Sequence, residues 1–313
     1  MHFADRVITR AKESASPVCV GIDPRYELLP ADARSRSTEI KDDPAEAAAW
    51  CYTELAARVI EAVAPYACAI KPQMAFFEAI GTPGLHAYEE VLRMSREAGI
   101  PTIADAKRAD IGSTSAAYAS AFFGGTRVGE ATLDGVGADS LTVNPYFGTD
   151  GVKPFLDLAG DRERGVFVLV RTSNPSAAEI QDLIVGDGED ALPVWRHVAA
   201  LVTRWGAERL GACGYSSVGA VAGATNPETL AEARDVLPRS VLLVPGYGAQ
   251  GGTAADVANA FDRDGLGALV NASRSIVFAR RGASSLEELA AAAGAAARRM
   301  RDDITDAVAA RRS

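Results

Sequence analysis

In the stretch DAKRADIGST, residues 105–114, a lysine lies between two carboxylates. Asp105, Lys107 and Asp110 fall within six positions, directly after the apolar run PTIA. On a solvated surface such a cluster amounts to ion pairs worth about 0–1 kcal/mol. In a pocket it is chemistry. A lysine close to carboxylates keeps its proton, because the charged form is favoured. It then serves as a proton donor rather than as the neutral amine that Schiff-base formation requires. Asp105 and Lys107 are two apart, so in extended backbone both side chains point the same way. Asp110 lies past the expected strand end, and spacing does not assign it to the same pocket of its own chain.

Other polar groups recur at equivalent places. Asp23 follows VCVGI, Lys71 ends ACAIK, Asn144 ends SLTVN, and Arg171, Thr172, Ser173 and Asn174 follow VFVLV. Each has a plain alternative. Asp23 and Asn144 precede prolines and could start turns, Ser173 and Asn174 are turn formers, and the Lys71 stem could run out to water. The segment PGYGAQGG, residues 245–252, has four glycines in eight positions, and Ser273 and Arg274 follow ALVNA. Glycines let backbone N–H groups approach an anion closely, and arginine adds a forked, permanently charged donor. Together they point to a phosphate.

These groups need elements to position them. Eight short apolar runs read as strands buried on both faces: 18–22, 67–71, 101–105, 140–144, 166–170, 217–222, 241–245 and 268–272. Between them, 45–64, 85–99, 190–208, 226–237 and 285–304 carry helical spacing, with Asp43–Pro44 and Asn226–Pro227 as starts. Alternation of this kind predicts a parallel sheet with helices outside. Eight repeats favour a closed (β/α)8 TIM barrel, one domain over 1–313, over an open doubly wound sheet, which a strand count alone does not exclude; in the barrel the chemistry sits at the C-terminal ends of the strands. Two longer connections, roughly 24–43 and 173–189, read as loops on this scaffold.

Composition narrows the function. At 48% hydrophobic and 23% charged residues, the 313-residue chain has enough apolar side chains for a large core. A formal charge of −9 argues against a broad nucleic-acid or anionic-membrane surface while leaving room for a small anion site. Cys19, Cys51, Cys68 and Cys213 form no CxxC pair, which suits reduced cytoplasmic thiols better than a disulfide framework or a zinc site. The N-terminal segment lacks the apolar stretch of a signal peptide, and no window is long and apolar enough to span a membrane. None of the three histidines, His2, His86 and His197, sits beside a plausible nucleophile or ligand cluster.

DAKRADIGST resembles the D-x-K-x-x-D-I-x-x-T motif of the orotidine 5′-phosphate (OMP) decarboxylases. VGIDPR (20–25), IKPQMAFFE (70–78), VNPYFGT (143–149), VRTSNP (170–175), PGYGAQGG (245–252) and NASRSI (271–276) resemble that family in the same order, in its longer bacterial form. The resemblance implies conversion of OMP to UMP without cofactor or metal, in a homodimer. It implies that Asp23 and Lys71 hold the ribose hydroxyls. Asp105, Lys107 and Asp110 would be the catalytic charges, with Asp110, Ile111 and Thr114 coming from the second subunit. Ser173 would bind the pyrimidine, Gln250 would bridge pyrimidine and phosphate from a closing loop beside Gly251 and Gly252, and Arg274 would bind the phosphate. Lys107 would protonate the C6 carbanion left by CO2.

Two rival readings stay open at this level. Metal-dependent sugar-phosphate lyases and decarboxylases resemble the chain in DxKxxD, but they carry a glutamate ligand where Lys71 stands, and a divalent cation needs oxygen donors there. A catalytically silent nucleotide-binding protein would keep the binding groups and release no CO2.

Overall fold

The computed structural model describes residues 1–188, 191–248 and 251–312. Eight parallel strands form one sheet: Val18–Ile22, Ala67–Pro72, Ile103–Arg108, Ser140–Val143, Gly165–Arg171, Ser216–Ala222, Ser240–Pro245 and Ala268–Ala272. The strand order runs second, first, eighth, seventh, sixth, fifth, fourth, third. Parallel bridges Ile70–Thr102 and Gln73–Asp105 join the two ends. The sheet is therefore nearly closed, and with its intervening helices it is the expected TIM barrel.

Side-chain alternation decides what faces the barrel axis. On the first strand Val18, Val20 and Ile22 pack outward with the helices, whereas Cys19 packs with the inner cluster. On the third, Ala104 packs outward and Ile103 inward; on the eighth, Val270 packs outward and Leu269 inward. Continuing this parity toward the strand ends turns Asp23, Asp105 and Asn271 inward. Phe3, Ala4, Val7 and Ile8 of the helix Phe3–Glu13 join the inner cluster, and Phe3 meets Phe167 edge-on at a centroid distance of 5.9 Å. That helix packs against one end of the core and leaves the C-terminal end for the site.

The outer helices follow the physical signals in the sequence. Asp43 accepts the N–H groups of Ala45 and Glu46 at 2.9 Å each and starts Pro44–Val63. Ala47, Cys51, Leu55 and Val59 line the buried face of that helix. Connection 24–43 is not an open loop: it folds into a 3-10 turn, Tyr26–Leu28, and a helix, Ala31–Ile40. Connection 173–189 is likewise structured in its described part. It holds the short helix Ala178–Gln181 and the strand Ile184–Val185, which pairs with Leu192–Pro193. Its middle is tied to the end of the fifth strand by Arg171, which grips Asp182 through two bonds at 2.8 and 2.9 Å.

Candidate active site

Asp105 sits between two ammonium groups. Lys71 Nζ donates to its Oδ2 at 2.5 Å and Lys107 Nζ to its Oδ1 at 2.5 Å. Gln73 Nε2 adds a bond to Oδ2 at 3.0 Å, and the Thr142 hydroxyl donates to Oδ1 at 3.1 Å. Asp105 and Lys71 are buried; the Lys107 side chain is 46% exposed. A fixed, partly accessible ammonium beside a buried carboxylate can stabilise negative charge and then deliver a proton.

The backbone reaches this arrangement by an unexpected route. Lys107 has φ +47, in the left-handed region, so extended geometry does not persist through it. Pairing with the fourth strand jumps from Ala104–Leu141 to Arg108–Val143. Thr142 Oγ1 fills the gap by accepting the N–H groups of Ala106 at 3.1 Å and Lys107 at 2.9 Å. The expectation that both side chains point one way in a regular strand is thus corrected: a bulge turns Lys107, and its long side chain swings back onto Asp105.

Burial raises the Asp105 carboxyl, but the charges of Lys71 and Lys107 outweigh it and hold the group far below the ordinary carboxylate range. Burial lowers the Lys71 ammonium, and Asp105 and Asp23 outweigh that, so it stays protonated beyond the usual lysine range. Beneath them, burial pushes the Cys19 thiol up to about 12, which makes it inert.

Asp23, Lys71, Asp105 and Arg274 line one cavity of about 340 Å³, together with Asn271 and Ser273. Asp23 and Asn271 line it, and the Oδ1 atom of each is buried without a partner among the described residues. Buried acceptors of this kind take a donor from an ordered water or from a ligand hydroxyl or amide. Gly21 lets the wall close up: a Cβ there would lie 1.9 Å from Ser273 Oγ.

The remaining expected residues are distributed as follows. Ser173 follows the fifth strand and packs on Gly223, where a Cβ would come within 2.9 Å of Ser173 backbone atoms. Gly251 and Gly252 fold back on their own loop, donating to the carbonyls of Gly248 at 3.0 Å and Gly246 at 3.1 Å. Gln250 lies outside the described residues. Asp110 does not line the cavity of its own chain; its Oδ1 accepts the N–H of Ile111 at 2.8 Å. Ile111 and Thr114 are exposed at the start of the helix Gly112–Phe123. Asn144 is a turn former, accepting from Tyr146 N at 3.1 Å.

A family model described as orotidine 5′-phosphate decarboxylase / HUMPS matches residues 16–289. The chain belongs to that family. A protein from Rhodopirellula baltica named orotidine 5′-phosphate decarboxylase is 46% identical over 281 residues, 90% of each chain. One of the same name from Deinococcus radiodurans is 41% identical over 89% of this chain and 90% of its own. The solved structure of Leishmania donovani OMP decarboxylase superposes with a TM-score of 0.73 at 33% identity, covering 98% of this chain and 99% of that one.

Gln73, Thr142 and Asn271 escaped the sequence reading as site residues. The signal was there for two of them: Thr142 and Asn271 are polar residues inside otherwise apolar strands, SLTV and ALVNA. A polar side chain at an inward position of a barrel strand needs a partner, and near the C-terminal end that partner is the site.

Proposed function

We propose that Lys107 is the proton donor of a decarboxylation at C6 of a pyrimidine nucleotide. The chain is a carboxy-lyase of the OMP decarboxylase family and converts OMP to UMP in pyrimidine biosynthesis. The observation that carries the Lys107 role is the clamp of Asp105 between Lys71 and Lys107, each at 2.5 Å.

The C6–carboxylate bond breaks, CO2 leaves, and the electron pair stays on C6. The Lys107 ammonium faces that charge, gives its proton to C6, and is reprotonated from water. A unit-charge pair at about 4 Å is worth about 4 kcal/mol at an effective dielectric near 20. The largest enzymatic accelerations require about 20 kcal/mol. Binding energy from the rest of the nucleotide supplies the difference. Arg274 takes the phosphate with the Gly251–Gly252 loop and Gln250, Asp23 and Lys71 take the ribose hydroxyls, and Ser173 takes the pyrimidine. The unpartnered Asp23 Oδ1 supports the ribose assignment.

Asp110 completes the charge set from a second copy, with Ile111 and Thr114, in a homodimer. Exposed Ile111, Tyr118, Tyr146 and Phe147 lie on or beside the segment that carries Asp110 and would be covered by that partner. The 1–313 chain acts as one barrel domain, free of nucleic acid and membrane. No described helix is long and apolar enough to cross a membrane, and the free cysteines suit a cytoplasmic setting.

A metal-dependent lyase is disfavoured by charge. A divalent cation on Asp105 would meet two ammonium groups already within 2.5 Å of that carboxylate. Purified protein consumes OMP, read as loss of its ultraviolet absorbance, and does so fully in excess chelator. No loss at micromolar enzyme would reject the reading.

A further inference from the structure

The nucleotide cavity does not end at Arg274. Arg25, Arg274, Ser275 and Phe278 also line a second cavity of about 1180 Å³, so the two adjoin across these side chains. Its walls are the connection after the first strand and the segment after the eighth. They bring Arg25, Arg34, Arg274, Arg280 and Arg281 together against one carboxylate, Glu27.

Five guanidinium groups in one cleft are out of keeping with a chain of net charge −9. Glu288 pairs with Arg280 at 2.6 Å. Among the described residues no carboxylate forms an ion pair with Arg25, Arg34, Arg274 or Arg281, and Arg34 Nε is buried without a partner. Like charges held together raise the free energy of the protein unless an anion joins them. Arginine forks match phosphate oxygens. The helix Ala31–Ile40, whose buried residues are Ala33 and Ser37, sets Arg34 on the wall.

We infer that this cleft holds the β- and γ-phosphates of a pyrimidine nucleoside triphosphate whose base and α-phosphate occupy the UMP position. The triphosphate is a competitive, product-like inhibitor of the chain, so nucleotides formed further along from UMP restrain their own supply. The inference rests on the functional reading above. That reading places the 5′-phosphate at Arg274, a side chain that also lines the arginine cleft, so a phosphoanhydride chain extended from that point has the cleft beside it.

Inhibition against OMP, measured in chelator with UMP, UTP and inorganic tripolyphosphate, tests it. UTP is expected to compete with OMP about tenfold more tightly than UMP, with an advantage that shrinks steeply as salt rises. In the double variant Arg34→Gln/Arg281→Gln the advantage falls about tenfold, as loss of two charge-assisted contacts implies, while UMP inhibition and kcat/KM for OMP hold. If the double variant does not fold, the salt dependence of the wild type decides: a UTP advantage that ignores salt overturns the inference. UTP binding no better than UMP, or an advantage that survives in the double variant, also overturns it. Tripolyphosphate that inhibits as well as UTP without displacing OMP places a free anion in the cleft and overturns the nucleotide assignment. Turnover of OMP with normal UMP inhibition but no UTP advantage sinks this inference alone; absence of turnover sinks the functional reading and this with it.

Discussion

Thr142 Oγ1 accepts the backbone N–H of Lys107 at 2.9 Å, at the residue whose φ is +47. One hydroxyl on the fourth strand thereby holds the left-handed turn that aims the proposed proton donor, and it also donates to Asp105 Oδ1 at 3.1 Å. Non-glycine residues in this region are strained and persist only where their surroundings enforce them.

Thr142→Val keeps the shape and removes the hydroxyl, leaving two N–H groups without their acceptor. A donor displaced by about 1 Å costs up to ~100-fold in rate. We expect kcat to fall roughly ten- to 100-fold with little change in UMP affinity, and Thr142→Ser to restore most of it. Steady-state kinetics of the two variants beside UMP binding checks this; a Thr142→Val enzyme with wild-type kcat removes the positioning role.

Lys107→Ala and Asp110→Ala are each expected to be inactive alone. Mixed and allowed to exchange subunits, they are expected to regain activity, because in the proposed homodimer a mixed pair holds one site with both charges intact. Assay of the mixture against the separate variants decides it. No recovery places Asp110 in the site of its own chain.

The buried pair sets a pH signature. Asp105 has a folded pKa depressed below its ordinary 3.8, so its contribution to stability is present above that value and is lost as pH falls through the lower folded one. Lys71 is raised above 10.5, so its contribution is present below that value and is lost as pH rises through the higher folded one. In Lys71→Met the carboxylate is short of a partner and burial works against it. We expect a loss of about 3–5 kcal/mol near neutral pH, narrowing as pH drops below 4 and Asp105 takes up a proton. Urea unfolding of both proteins across pH measures the gap; a gap independent of pH contradicts the coupling.

Gly21→Ala puts a methyl group where Ser273 Oγ lies 1.9 Å away in a buried wall. The segment carrying Ser273 and Arg274 must move. Overpacking of this kind costs about 1–3 kcal/mol, and the expected outcome is a lower Tm together with a raised KM for OMP. An unchanged KM would detach that wall from the proposed phosphate site.

The sequence made the barrel readable because strands buried on both faces appear as apolar runs, and all eight expected runs overlap observed strands. The strand ends were readable because charged residues interrupt those runs. The helix Gly112–Phe123 was not, since GSTSAAYASAFF lacks the leucine and charge pattern of an amphipathic helix. Nor was Gly148–Asp161, which carries Pro154 and begins at glycine. The helix Ala31–Ile40 was hidden by its polarity and by flanking prolines. Asp23, Lys71, Asp105 and Arg274 were found as strand-end charges and meet in one cavity. The bulge at Lys107 was invisible because lysine does not announce a positive φ; tertiary bonding to Thr142 imposes it.

Turnover of OMP by Lys107→Ala, measured beside its UMP affinity, shows whether residue 107 delivers the proton to C6. Loss of a proton donor costs about 10²–10⁴-fold, and loss of its charge adds to that. The expected outcome is at least ~1,000-fold lower kcat with UMP still bound; a variant that binds UMP and turns over within about tenfold of wild type removes Lys107 as the proton donor.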